Sequence, residues 1–314
     1  MTLPPEALAP EAGERGRVTH DLTGTLDATV GAWDELLAAV ADVDPGAPSR
    51  KAGRTAARTL VVLGSWPEGR PLPAIRRDAL AGVTIAEPLD AIEGRVIAEH
   101  SGDTREALLA SLRRARDDVA EWAASPDVAR EALLPVAGPI GIVPFGTLVA
   151  ATAYQCAVAV RDLEPAGVLS TPALLARGLA ALIDTVGAVA SQQQAAIALT
   201  AITPEISVGT GASEGDWRTI PVTSPQGPAI ICDAGLLLDI AAGRASAPAA
   251  YARGEFRAQD LPGLFAVVQV LAGSPGLPGT DGLRAALQAY GSSAAAARAV
   301  GDAMGSAWRK LRGS

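Results

Sequence analysis

A chain of 314 residues, 49% of them hydrophobic and 19% charged, with a mean hydropathy of +0.24, can bury a sizeable core, which excludes a disordered chain or a metal-stapled mini-fold. Its 26 basic residues stand against 34 acidic ones, a net charge of −8, so no cationic surplus displaces counterions from phosphates and no nucleic-acid partner is expected. Aromatic residues make up 4%, leaving a core of Ala, Leu and Val that suits closely packed helices, and the positive charge is carried almost entirely by arginine, Lys51 and Lys310 being the lysines.

The stretch up to Gly16 is rich in Pro, Glu and Gly and reads as a frayed terminus without chemistry. It has neither a basic run nor an apolar one, and Cys156 and Cys232 lie far apart without CxxC spacing, which together set the expectation of a reducing cytoplasm. Leu22, Leu26, Val30, Trp33, Leu37 and Val40 recur at helical spacing and predict a first helix ending before Pro45-Gly46. A second apolar segment spans residues 52–66, and the Pro-containing stretch after it, to about Glu99, reads as a loop excursion with a short strand or helix. Asp103, with Glu106 three residues on, looks like an Asp capping box for a helix carrying Leu108, Leu112, Ala115, Val119 and Trp122 on one face and Arg113, Arg114, Arg116, Asp117 and Asp118 on the other. Residues 132–160 hold no charge and exceed the length of a membrane span, but Pro135, Gly138, Pro139, Gly141, Pro144 and Gly146 interrupt them. What remains, residues 147–163, predicts a buried fourth helix rather than membrane insertion.

Thr171-Pro172 supplies an N-cap and a first-turn proline for a fifth helix through Leu175, Leu179, Leu182, Val186 and Val189. Beyond Gln194 the texture changes to short β-prone runs at residues 206–208, 217–222 and 229–232, with Gly209-Thr210-Gly211 read as a turn; that glycine pair lacks both GxGxxG spacing and a Walker lysine. Asp233 caps a helix closed by Gly243, residues 254–258 look strand-like, and Asp260 caps a helix bearing Leu261, Leu264, Val268 and Leu271. An Ala-rich tail past Pro278 carries Val300, Met304, Trp308 and Leu311 at core spacing, which predicts that it packs back on the body.

This order of elements, the run Tyr-Gln-Cys-Ala-Val-Ala-Val-Arg-Asp-Leu from Tyr154 to Leu163, and the run Asp-Ala-Gly-Leu-Leu-Leu-Asp-Ile-Ala-Ala-Gly-Arg from Asp233 to Arg244 resemble the mycothiol-dependent maleylpyruvate isomerase family over about residues 21–272. The resemblance implies a mainly α fold: a DinB-like up-and-down four-helix bundle over residues 17–168, a smaller sterol-carrier-like α+β domain with a leading helix over 169–275, and a C-terminal helical extension over 276–314. It also implies a metal site, one ligand on the second helix and two at i, i+4 on the fourth. Setting the family's Asp-Leu on Asp162-Leu163 puts those ligand positions at Gln155 and Ala159, and its His-Leu falls near Val62-Leu63. None is a competent donor set, and His20 and His100 are the chain's two histidines, so no metal and no other cofactor is expected. The family's Gly-Arg, which points toward substrate carboxylates, corresponds to Gly243-Arg244.

Each of these residues also has a plainer role. His20 and His100, both at helix starts, either meet at one end of an up-and-down bundle, where they bind metal or do acid/base work, or are solvated helix-entry residues. Cys156 serves as a small buried apolar group or as a reactive thiol, and Arg161-Asp162 as a helix-end pair or as part of a site. Gln155, if it faces the former metal cavity, needs a hydrogen-bond partner such as Tyr154 or a ligand. Arg244 either binds an anion or neutralises a helix C-terminus. The expectation is a metal-free small-molecule-binding or regulatory module, its cavity lined by Val62, Gln155, Ala159 and Arg244 and its partner an apolar or carboxylated small molecule. The alternative is a metal-independent isomerase or cyclase of specialised metabolism using Gln155, Tyr154 and Arg244 in the same cavity.

Overall fold

The computed structural model describes residues 4–83, 89–138 and 140–272. Helices α1 (Arg17–His20), α2 (Leu22–Val40), α3 (Ala56–Leu60), α4 (Leu72–Leu80), α5 (Leu89–His100), α6 (Arg105–Ala123) and α7 (Val128–Glu131) lead to a hairpin of β1 (Pro135–Gly138) and β2 (Gly141–Pro144). Next come α8 (Phe145–Ala150), α9 (Thr152–Asp162) and α10 (Pro172–Gln192), then β3 (Ile197–Ile202), β4 (Ser207–Ser213), β5 (Asp216–Pro221) and β6 (Ala229–Ile231). The described chain closes with α11 (Ala234–Ala241), α12 (Ala247–Ala252), β7 (Arg257–Gln259) and α13 (Leu261–Ala272). The C-terminal tail lies outside the described residues.

Short polar side chains start the helices by taking N–H groups that have no partner inside the first turn. Asp21 accepts from Gly24 at the head of α2, Thr171 from Leu174 at α10, Asp233 from Leu236 at α11 and Asp260 from Gly263 at α13. At α6 the cap is Thr104, accepting from Ala107 at 3.2 Å, and not Asp103, which instead bonds His100. The second apolar segment is much shorter than its hydrophobicity suggests: α3 gives way to a 3-10 turn, Val61–Leu63. The proline-containing stretch after it holds two helices, α4 and α5, because Pro73 falls in the first turn of α4, where no N–H partner is lost. The fourth predicted helix is divided at Ala151 into α8 and α9, and its uncharged approach forms the β1–β2 hairpin.

The helical body is built around α2, which buries Leu26, Trp33, Leu36 and Val40 against α6, α9 and α10. Trp33 Nε1 donates to Thr152 Oγ1 at 3.0 Å and ties α2 to the head of α9. Helices α2 and α6 run antiparallel, since Arg105 lies 3.8 Å from Asp42 at one end while Arg116 reaches Asp34 at 2.8 Å further along.

Five strands form one sheet in the order β5-β4-β3-β6-β7, antiparallel except for the β3/β6 pair. β3 is absent from the sequence reading: an Ala-rich strand buried on both faces shows no alternation. Helix α10 packs on α9 and α2 with one side and on β4 and β5 with another, so it is shared by the helical body and the sheet. It is long and apolar enough to cross a membrane by composition alone, but 72% of it is buried inside the protein.

Two expectations about the sheet are corrected. Gly209-Thr210-Gly211 is the middle of β4 and not a turn. From residue 4 on, the N-terminal stretch is not frayed: Leu8 is fully buried on the face of β4 opposite α10, and a Cβ on Gly211 would stand 2.2 Å from the Leu8 carbonyl oxygen. The same arm extends along the edge strand β5, where Gly16 N–H donates to the Trp217 carbonyl at 2.7 Å and Glu14 accepts from Arg218 at 2.9 Å. The buried Asp184 of α10 fixes its end by accepting from the Arg17 N–H and from Trp217 Nε1, each at 3.1 Å.

Candidate functional site

Charged side chains meet where the C-terminal end of α9, the turn at residues 49–54 and the α11 segment come together. The turn is closed by Arg54 N–H to the Lys51 carbonyl at 3.0 Å and Ser49 N–H to the Arg54 carbonyl at 3.3 Å. It is pinned to α9 by Arg50 N–H donating to the Asp162 carbonyl at 2.7 Å. Asp239 of α11 accepts two bonds from Arg161, at 2.8 and 2.6 Å, and two from Arg50, at 3.2 and 3.0 Å. Gly235 lets Arg161 cross the first turn of α11, since a Cβ there would meet the guanidinium at 2.5 Å. Burial opposes ionisation of Asp239, but the bonds from Arg161 and Arg50 outweigh it and hold the carboxyl below its usual range.

Arg244 follows the left-handed Gly243 (φ 70°) that ends the helical segment, and its N–H donates back to the Asp239 carbonyl at 2.7 Å. Its Nε and Nη2 form a fork on Asp162 at 2.6 and 2.8 Å, and Nη1 donates to the Ala242 carbonyl at 2.9 Å. The bond to Asp162 raises the Arg244 pKa, and the bond to Asp239 does the same for Arg161. Arg161 and Asp162 are therefore not a helix-end pair: adjacent on α9, they bond different partners across the junction. Arg244 satisfies a terminal carbonyl, the helix-end role weighed for it, and its fork is taken up by Asp162, a carboxylate of the protein itself.

Tyr154 is partly buried beside this cluster, in the field of Arg244, Asp162 and Asp239, and no described residue bonds its hydroxyl. Burial pushes its pKa up, so the phenol stays neutral. Ala159 is buried, Val62 half-buried in the 3-10 turn, and Gln155 exposed on α9, so the amide is solvated and needs no protein partner. Cys156 is buried and raised in pKa by that burial, and Cys232 is likewise pushed up to about 12 by burial and by Asp233 and Glu205. Neither is a thiolate nucleophile near neutral pH.

The two histidines do not meet. His20 is exposed at the end of α1 beside the head of α2, whereas His100 precedes α6, which runs antiparallel to α2, so they lie toward opposite ends of that pair. His100 stacks on Trp66 with centroids 3.9 Å apart and bonds Asp103 through Nδ1 at 3.0 Å and Glu68 through Nε2 at 3.1 Å. Among the described residues no three His, Cys, Asp or Glu side chains are grouped to hold a metal ion. Val62 and Ala159 offer no donor, so the positions implied by the resemblance do not fit a divalent metal.

Sequence reading missed Arg50, Lys51 and Asp239 as members of this cluster. The signal available for Lys51 was its rarity in a chain whose cations are otherwise arginines.

No family model and no curated protein matches the chain. Among solved structures, it is similar to the crystal structure of the mycothiol-dependent maleylpyruvate isomerase at 17% identity and a TM-score of 0.47, covering 73% of this chain and 92% of that one. A histidine-to-alanine variant of that enzyme matches at 17% identity and a TM-score of 0.45, over 78% of this chain and 95% of the other. The SCP2 domain of UbiJ, a ubiquinone synthesis protein, matches at 17% identity and a TM-score of 0.24, over 32% of this chain and 92% of its own. At these levels the activity of the chain has to be argued from its own residues.

Proposed function

We propose that the chain is a metal-free small-molecule-binding or regulatory module that holds a carboxylated, otherwise apolar ligand at the junction of α9, the 49–54 turn and the α11 segment. The observation that carries this reading is Arg244, which forks onto Asp162 beside the partly buried Tyr154 and still has donors to spare. Arginine has five N–H donors, and Arg244 uses Nε, Nη2 and one on Nη1, so two remain for an incoming carboxylate. Ala159 and the exposed Gln155 of α9 flank it in this reading, whereas Val62 lies on the 3-10 turn packed against α3, α5 and α6.

Thermal-shift screening with benzoate and related aromatic carboxylates tests the reading. A ligand at a hundred times its Kd stabilises by about 2.7 kcal/mol, so a clear rise in Tm is expected, and Arg244→Ala should remove it. Absence of any stabilising carboxylate, or equal stabilisation of Arg244→Ala, would overturn the assignment.

A further inference from the structure

We propose that a recess where β2, the C-terminal end of α10 and the start of β5 meet binds a small neutral carboxamide on a single-ring apolar body, held between Arg15 and Gln192. It shares no residue with the cluster around Arg244, so it is a second site and stands apart from the binding reading above.

The recess is half-open, has a volume of about 120 Å³, and is lined by Arg15, residues 142–144 of β2, Ala188, Ser191 and Gln192 of α10, Gly215 and Trp217. An apolar cavity of about 150 Å³ takes benzene, so one ring is the size of occupant that fits. The floor is fixed before any ligand arrives. Trp217 is buried and donates through Nε1 to Asp184 at 3.1 Å, and Gly187 leaves room for its ring, since a Cβ there would stand 2.6 Å from Trp217 Cδ1. Ser191 Oγ is buried but donates to the Ala188 carbonyl at 2.8 Å, so it does not require a ligand. With Val143 and Pro144 these groups make a surface for an apolar ring.

Two polar groups line the same recess with capacity unused among the described residues. Arg15 is held by Nη1, which donates to Asp216 and to the Glu14 carbonyl at 2.9 Å, and its guanidinium carbon lies 5.9 Å from the centre of the Trp217 ring. Its Nε and Nη2 donors are left over. Gln192 donates through Nε2 to the Ile142 carbonyl at 3.0 Å. A carbonyl only accepts, which fixes the orientation of that amide and leaves Oε1 as its free end.

A donor beside an acceptor suits a carboxamide, whose oxygen accepts from Arg15 while its N–H donates to Gln192. A carboxylate fits worse for two reasons. The charge of Arg15 is already matched by Asp216, which also accepts from the Gly13 N–H at 3.1 Å, and Gln192 Oε1 would face a second acceptor. Benzoate is thus left to the Arg244 site, and benzamide, its neutral counterpart, is the probe for this one.

NMR titration of benzamide into the wild-type protein, following the assigned signals of the Trp217 indole N–H, Gly215 and Gln192, tests the proposal. Saturable shifts with a Kd on the order of 1 mM are expected of a single-ring fragment, with benzoate at least about fivefold weaker at the same signals. This comparison needs no variant that folds. Arg15→Met and Gln192→Leu should each weaken benzamide at least about threefold, and Arg244→Gln should leave its shifts unchanged. Asp216→Asn leaves Arg15 uncompensated, so benzoate should gain at least about fivefold there while benzamide changes little. Signals that about 20 mM benzamide does not move, benzoate binding there as tightly as benzamide, or benzamide binding indifferent to both Arg15→Met and Gln192→Leu would overturn the proposal.

Discussion

Asp239 is one carboxylate facing two guanidiniums, and Asp239→Asn removes its charge while keeping its shape. Its side chain is 8% exposed, and those of Arg50 and Arg161 are 24% and 16% exposed. Breaking a buried pair by neutralising one partner costs about 3–5 kcal/mol because the other charge is left buried. Here the loss is partly offset, since Glu164 stays 3.2 Å from Arg50 and 3.1 Å from Arg161, so the expected cost is about 2–3 kcal/mol. For a chain of this size that is a fall in Tm of about 4–10 °C. The pH dependence follows from the depressed pKa of Asp239: its contribution is fully present above the unfolded value of about 3.9 and is lost as pH falls through the lower folded value. The gap between wild type and Asp239→Asn, measured by thermal melts across pH 7 to 3, should therefore be constant at neutral pH and close in acid. A variant within about 0.5 kcal/mol of wild type at pH 7, or a gap that persists unchanged at pH 3, would refute the idea that this carboxylate joins the turn, α9 and α11.

Leu8→Ala should cost about 2–4 kcal/mol in a denaturant titration, as expected of a fully buried leucine; a shift near zero would mean that the arm does not pack on β4. His100 is discouraged from charging by burial, but its bonds to Glu68 and Asp103 outweigh that and raise its pKa. Its contribution is therefore present below about pH 6.5 and lost as pH rises through the folded value, so the Tm gap between wild type and His100→Gln should shrink from pH 6 to 9, and a gap that widens contradicts the assignment. Elemental analysis of purified protein should find zinc, iron, manganese and cobalt well below one equivalent, and an equimolar metal that survives dialysis would contradict the reading of the donor set.

Signals carried within a few residues were legible in the sequence. The caps Thr171, Asp233 and Asp260 and the periodicity of α2, α6 and α10 are local, and each element starts within a residue or two of where its pattern begins. What stayed hidden depends on partners far along the chain. Gly209 and Gly211 look like turn residues until Leu8, about 200 positions earlier, is seen packing against the strand and leaving no room for a side chain. β3 shows no period of two because both of its faces are covered. Of the candidate site, Arg244 and Tyr154 were legible as polar groups at notable positions, but their partners were not: the pairings of Asp162 with Arg244 and of Arg161 with Asp239 span 82 and 78 residues. Lys51 and Arg50 lie on a turn whose register is set by a backbone bond to α9, which no spacing rule reports.

Isothermal titration of benzoate into the wild-type protein, Tyr154→Phe and Arg244→Gln tests the central claim, that a carboxylated small molecule binds beside α9 through the unpartnered phenol and the free edge of Arg244. The account predicts one saturable site in the wild-type protein, weakened about two- to twelvefold in Tyr154→Phe by the loss of one hydrogen bond worth about 0.5–1.5 kcal/mol. Arg244→Gln should lose measurable binding. Saturable binding that is identical in all three proteins would place the ligand elsewhere and contradict the account.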